Sequence, residues 1–276
     1  MDFTIKTYQA LLNHLAGKNY SFLRFSDYLS QESKPEKFVI LRHDVDALPV
    51  NSLQFAKIQS ELGIAGTYYF RAVPQSWDEA IIKEIHSLGH EVGYHYENMD
   101  TASSEIRGQK SKIRSISNDY AHFLDLAYED FQMNLEKLRK LVPVNTICMH
   151  GSPRSKFDNK AIWEKYDYKN LGILGEPYFD VDFDNTFYLT DTGRRWDGWK
   201  VSIRDKVPQQ EEWNQKGMVF PSTIDIIRAV KSGAFPEKVL FTFHPQRWHN
   251  QPFPWLRELL LQSAKNQVKG ILIRSY

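Results

Sequence analysis

Short apolar runs, each followed by a stretch with helical spacing, punctuate this chain, and no other feature restricts its fold as much. Phe38-Val39-Ile40-Leu41 is a run of buried-strand type. Pro49 to Leu62 then carries Leu53, Ala56, Ile58 and Leu62 at helical spacing and stops at Gly63. Gly66 to Phe70 reads as a second strand, and Trp77 to Leu88 as a second amphipathic helix with Ile81, Ile82, Ile85 and Leu88 inward and Gly89 as its stop. Glu91 to His95 is the third strand. A helix from Ser115 to Leu141 ends before Pro143, and a strand follows at Asn145 to Met149. Further on come a helix from Ser222 to Ser232, a strand from Val239 to Phe243 and a helix from Pro254 to Gln267. Strands and helices alternating in this way predict an α/β fold built on a parallel sheet. The stretch from Leu171 to Trp213, rich in Gly, Asp and aromatics, breaks the pattern and is expected to supply short strands and loops that decorate the site.

No repeat, low-complexity tract or linker divides the sequence, so its 276 residues are expected to form a single domain. Within it the core spans about residues 38–268, preceded by a helical extension over 1–37. With 35 basic and 34 acidic residues the formal net charge is +1, which provides no electrostatic footprint for nucleic acid or an anionic membrane. No run of about 18 apolar residues predicts a membrane span. The N-terminus lacks the pattern of a secretory leader, and the single cysteine, Cys148, builds no disulfide framework. A cytoplasmic location is expected.

Chemistry collects where the strands end. The first strand runs into Arg42-His43-Asp44-Val45-Asp46, the third ends at His95, the next at His150, and the last at His244. Carboxyl ends of parallel strands open on one face, so residues distant in sequence converge there. One histidine after a strand is more often a packing residue than a ligand; four of them with a carboxylate pair point to a site. Asp44 and Asp46 share a face of an extended segment. Two carboxylates so close repel unless one is protonated or a cation lies between them. A divalent metal on Asp46, with Asp44 left free as a base, resolves the conflict. Carboxylate and imidazole together suit Zn2+, or another first-row divalent ion, and a metal-activated water makes hydrolysis the expected chemistry.

Arg42-His43-Asp44-Val45-Asp46, followed some 50 residues later by Gly89-His90-Glu91-Val92-Gly93-Tyr94-His95, resembles the polysaccharide deacetylases, the NodB-homology group known as carbohydrate esterase family 4. The spacing Asp-x-Asp looks like a branch associated with O-antigen and other surface polysaccharides. Val239 to Pro245 resembles the family's last motif. The resemblance implies a distorted (β/α) barrel of about seven parallel strands and removal of an acetyl group from an N-acetylated sugar with the help of a divalent metal. It implies Asp44 as catalytic base, Asp46 and His95 as metal ligands and His244 as general acid, with His90 structural.

The sequence departs from the family at Met99, where a second histidine ligand is usual; a thioether is a poor ligand for such an ion. His150 is the expected third ligand, with Glu97 as the alternative. Asp191 or Asp197 could orient His244. Arg42, Glu97, Asp191, Arg194, Trp196 and Asp197 are expected to contact substrate or orient the site. The expected partner is a small-molecule or oligosaccharide substrate, an intermediate of surface polysaccharide synthesis; nucleic acid and membrane are not expected, and the sequence specifies no oligomeric state. Two alternatives stay open: cleavage of a non-sugar C–N amide bond, and a metal-free carbohydrate-binding pseudoenzyme.

Overall fold

The computed structural model describes residues 1–108, 120–151, 157–197 and 207–274. Its strands are β1 (Ser21–Leu23), β2 (Phe38–Val45), β3 (Thr67–Phe70), β4 (Glu91–Tyr96), β5 (Ile147–Met149), β6 (Phe187–Thr190) and β7 (Lys238–Phe243). Its helices are α1 (Ile5–Ala16), α2 (Phe25–Ser30), α3 (Pro49–Glu61), α4 (Glu79–Ser87), α5 (Asn98–Gly108), α6 (Tyr120–Arg139), α7 (Pro177–Asp180), α8 (Gln210–Gln215), α9 (Thr223–Ser232) and α10 (Pro252–Arg274).

All seven strands are parallel, in the order β5-β4-β3-β2-β7-β6, with β1 paired to the first half of β2. Each strand from β2 onward therefore lies beside its neighbour in sequence, and β7 returns to β2. That is the cyclic order of a (β/α) barrel with one pairing missing, between β5 and β6, and the sheet curls into a half-barrel. A one-residue bridge between Thr146 and Gly175 continues the sheet beyond β5 into the open seam.

Local chemistry explains the helix limits. Pro49 opens α3 after Leu48 in the left-handed region, and Gly63 at φ 67° follows its end. Asp78 caps α4 by accepting from Ala80 N and Ile81 N at 3.1 Å, and Ser222 caps α9 by accepting from Asp225 N. No helix among the described residues is long and apolar enough to cross a membrane.

Several expectations shift once pairing is considered. The first strand does not stop at Leu41. It continues to Val45 because β7 pairs as far as His43 and β3 pairs from Arg42 to Val45, so the charged motif lies inside the sheet. Phe187–Thr190, expected among decorating loops, is a sheet strand, and the N-terminal segment expected to be helical contributes β1 beside its two helices. Pairing with β2 and with β7 makes these two segments strands. Of the long helix expected from Ser115, residues 115–119 lie outside the described residues; α6 runs from Tyr120.

Alternation sends Arg42 and Asp44 to the barrel interior and His43 to the helix layer behind it. There His43 Nδ1 faces Thr67 O at 3.0 Å, and Nε2 lies 3.0 Å from both Tyr8 Oη and Gln59 Nε2. Burial lowers the His43 pKa from 6.5 to about 3. The unfolded chain therefore takes up a proton below pH 6.5 that the folded chain refuses down to about 3, and stability falls across that window as pH drops. His43→Gln should lose up to about 1.4 kcal/mol less per pH unit than the wild type, read as unfolding free energy by urea titration between pH 6.5 and 4. Gly93 faces inward between Glu91 and His95, and a Cβ there would lie 2.3 Å from Tyr69 Cε1 and 2.8 Å from Thr146 O. Gly93→Ala should cost about 1–3 kcal/mol of stability, seen as a lower urea midpoint at unchanged slope.

Candidate active site

The carboxyl ends of β2, β4, β5, β6 and β7 bring Asp44, Asp46, His95, His150, Asp191 and His244 together. His95 Nε2 lies 3.7 Å from Asp44 Oδ2 and 3.6 Å from Asp46 Oδ1, and His150 Nε2 also lies 3.6 Å from Asp46 Oδ1. His244 Nε2 is 3.9 Å from Asp46 Oδ2. Asp44 and His95 are almost wholly enclosed, whereas the Asp46 and His150 side chains keep 21% and 17% exposure, so the cluster opens to solvent on their side.

His95 and His244 are oriented by hydrogen bonds at Nδ1, whereas His150 Nδ1 makes an ion-pair contact with Glu97 without hydrogen-bond geometry. His95 Nδ1 faces the Cys148 carbonyl at 2.9 Å; a carbonyl only accepts, so the proton sits on Nδ1 and the Nε2 lone pair faces the aspartates. His150 Nδ1 lies 3.0 Å from Glu97 Oε2, and Glu97 is itself gripped by both Arg71 Nε and Nη2 at 2.7–3.1 Å. Burial disfavours a charged His150, but Glu97 and Asp46 outweigh it and raise its pKa. His244 Nδ1 contacts Asp191 Oδ1 at 2.6 Å, while Asp191 Oδ2 accepts from His244 N at 2.9 Å and Trp248 Nε1 at 2.6 Å. Burial would raise the Asp191 pKa, but the adjoining His244 and Arg247 hold it below the ordinary value.

The two aspartates of the motif differ. Asp44 accepts from Arg42 Nε at 2.8 Å and Nη2 at 2.7 Å, and this bidentate grip outweighs the effect of burial and keeps its carboxyl below the ordinary pKa. The Asp44 expected to be left free is thus ionised with both oxygens engaged. Asp46 Oδ2 accepts from Gln246 Nε2 at 3.0 Å, but the buried Oδ1 has no hydrogen-bond donor. An enclosed anionic oxygen without a donor, 3.6 Å from the Nε2 atoms of two imidazoles, fits a cation. Ligand atoms about 2.0–2.2 Å from a tetrahedral Zn2+ stand roughly 3.4 Å apart, close to the two separations of 3.6 Å between Asp46 Oδ1 and the imidazoles. Asp44, His95 and Cys148 also place donor atoms within 4.8 Å of one another. In that set both Asp44 oxygens are already engaged by Arg42, whereas Asp46 Oδ1, beside His95 and His150, is engaged by no donor.

Other expected site residues go elsewhere. Glu97 braces His150 and pairs with Arg71, which occupies it away from a ligand role. Asp197 pairs with Arg195 at 2.6 and 2.8 Å, leaving Asp191 as the partner of His244. Trp196 is buried among Phe3, Phe241, Phe243 and Trp248 with Nε1 donating to Thr223 Oγ1, and Arg194 donates to Trp255 O while lying over the Trp255 and Phe3 rings. Neither reaches the cluster, because the turn after β6 sends them behind the sheet. Met99 is fully buried in the core. His90, expected to be structural, faces Ala56 O and Gly66 N. Three site residues escaped the sequence: Arg71, Gln246 and Trp248. Arg71 directly follows β3 and Gln246 lies two residues past His244, so the strand-end rule that selected histidines would have found both had it admitted other polar types.

No family model and no curated protein matches this chain. Among solved structures, a mutant of BA3943, a CE4 family pseudoenzyme, is similar at 14% identity and a TM-score of 0.37, over 86% of this chain and 65% of that one. Wild-type BA3943 from Bacillus anthracis gives 12% and 0.36, over 95% of this chain and 77% of that one. Bacillus subtilis PdaA, a family 4 carbohydrate esterase, gives 12% and 0.38 over 93% of this chain and 84% of that one. This chain thus spans less than two thirds of the first of these proteins. Likeness at this level says nothing about the site, and the fold description rests on the strand pairing itself.

Asp191 accepts from His244 N, His244 Nδ1, Trp248 Nε1 and, at 3.5 Å, Arg247 Nη1, and an amide in its place would turn an NH2 toward at least one of them. Asp191→Asn should therefore lower stability by about 1–3 kcal/mol, measured by urea unfolding at pH 7.

Proposed function

We propose that the protein is a metal-dependent hydrolase that removes an acetyl group from an N-acetylated sugar. The observation that carries this reading is the donorless Asp46 Oδ1, 3.6 Å from the Nε2 atoms of His95 and His150. Asp46, His95 and His150 would hold a divalent ion, for which Zn2+ suits the donor set, and such an ion acidifies bound water and polarises an acyl carbonyl.

The chain's own groups supply the rest. Asp44, kept ionised and aimed by Arg42, takes the proton of the attacking water. His244, held by Asp191 through Nδ1, presents Nε2 to the cluster and donates a proton to the departing amine nitrogen. Arg42 makes Asp44 a weaker base than an unpaired carboxylate but fixes its geometry. The partial exposure of Asp46 and His150 leaves an opening on that side of the cluster. A nucleotide- or lipid-linked sugar used in surface polysaccharide assembly is the substrate class we favour. The family resemblance of the Arg42–Asp46 and Gly89–His95 segments supports it.

Acetate release from a panel of N-acetyl sugars and simple amides, measured with the metal content of the protein, tests the proposal. Asp44→Asn should retain the ion and lose at least about a hundredfold in turnover. Near-normal turnover in that variant would remove Asp44 as the base, and a wild type with neither metal nor acetate release would leave a carbohydrate binder as the better description.

A further inference from the structure

We infer that Gln246 is a positioning residue that makes Asp46 a one-oxygen metal donor, an inference that rests on the metal reading above. Gln246 lies in the 3-10 turn Pro245–Arg247, directly after the histidine at the end of β7. Its Nε2 donates to Asp46 Oδ2 at 3.0 Å. The amide orientation is forced, because an ionised carboxylate only accepts and the amide oxygen in that place would face it with two lone-pair groups. His244 Nε2, 3.9 Å from the same oxygen, is beyond hydrogen-bond reach. Asp46 Oδ1 is left buried and without a donor beside His95 and His150.

Independent contacts hold both ends of this bond. Asn51 Nδ2, from α3, donates to Pro245 O and Trp248 O at 3.2 Å each, and Arg247 N closes the turn onto His244 O at 2.9 Å. Arg71 Nη1 donates to the Asp46 carbonyl at 3.2 Å, so the main chain of Asp46 is tied as well as its side chain. The Asp46 carboxylate is thus set before any ion arrives. Because Gln246 is neutral, it occupies Oδ2 without cancelling the charge that the ion requires; a Lys or Arg there would cancel it. The turn that carries His244 also aims the metal-binding carboxylate, so the acid and the ligand are positioned by one piece of backbone.

The test uses the full-length protein stripped with a chelator. Zn2+ affinity is measured by competition with a chromophoric chelator, and the visible spectrum is recorded after loading with Co2+. Gln246→Met keeps the length of the side chain and removes the donor; Gln246→Glu replaces the donor with a second carboxylate facing Asp46. Loss of an orienting contact of this kind weakens metal binding about 10–100-fold. The Met variant is expected to show that loss and an altered Co2+ spectrum, with the thermal unfolding of the metal-free protein unchanged. Wild-type affinity and spectrum in the Met variant overturn the inference, as does a lowered unfolding temperature with unaltered affinity, which would make Gln246 a purely structural residue. Should the Met variant not fold, the Glu variant decides: a Zn2+ affinity and Co2+ spectrum equal to wild type overturn the inference. A wild type that takes up neither Zn2+ nor Co2+ overturns this inference and the metal reading together, whereas metal binding that is insensitive to Gln246 overturns this inference alone.

Discussion

Strand β2 is buried along its whole length, yet three of its eight residues are Arg42, His43 and Asp44. A polar group enclosed without a partner costs several kcal/mol, and an unpaired charge more, so these residues dictate what must surround them. Arg42 and Asp44 point into the barrel, where Arg42 Nε and Nη2 engage both Asp44 oxygens and Nη1 is left without a hydrogen-bond partner. His43 points out and is met by Tyr8 from α1, Gln59 from α3 and the Thr67 carbonyl of β3. The packing of two helices against the sheet is thus tied to the polarity of its central strand. A buried ion pair of this kind adds little net stability, and its value lies in holding Asp44 in one orientation.

Just past the end of that strand the balance changes. Asp46 sits where the sheet stops, and the fold supplies its carboxylate with one donor for two oxygens. Around it the imidazoles are not free to turn: His95 is tied to a β5 carbonyl, His150 is braced by a glutamate that Arg71 holds, and His244 is locked to Asp191. These tethers come from five different strand ends, and they leave every Nε2 facing the same small volume. Fixed donor atoms of this kind bind an ion with little reorganisation, and fixed proton donors and acceptors act with little loss of orientation.

Elements with a clear apolar run or helical spacing were legible in the sequence. The helices after Pro49 and Trp77 and the strands near Phe38, Glu91 and Val239 stand within a few residues of where periodicity puts them. The convergence of Asp44, Asp46, His95, His150 and His244 was legible too, because strand ends of a parallel sheet share a face whatever the details of packing. Strands β1 and β6 were not, and pairing with β2 and β7 is what makes them strands. Nor were the supporting contacts: Asp191 and Asp197 look alike in sequence, and Trp196 and Arg194 look as exposed as their turn.

What the sequence determined by itself is the order of strands and helices and the set of side chains delivered to the strand ends, because both follow from periodicity and from the polarity of a parallel sheet. Tertiary structure alone decided which oxygen is engaged. Asp44 is held by Arg42 two residues away, while Asp46 is met by Gln246 from the other end of the chain. The difference between a paired carboxylate and one with an oxygen to spare is a matter of about an ångström, and spacing along the chain does not encode distances between strands.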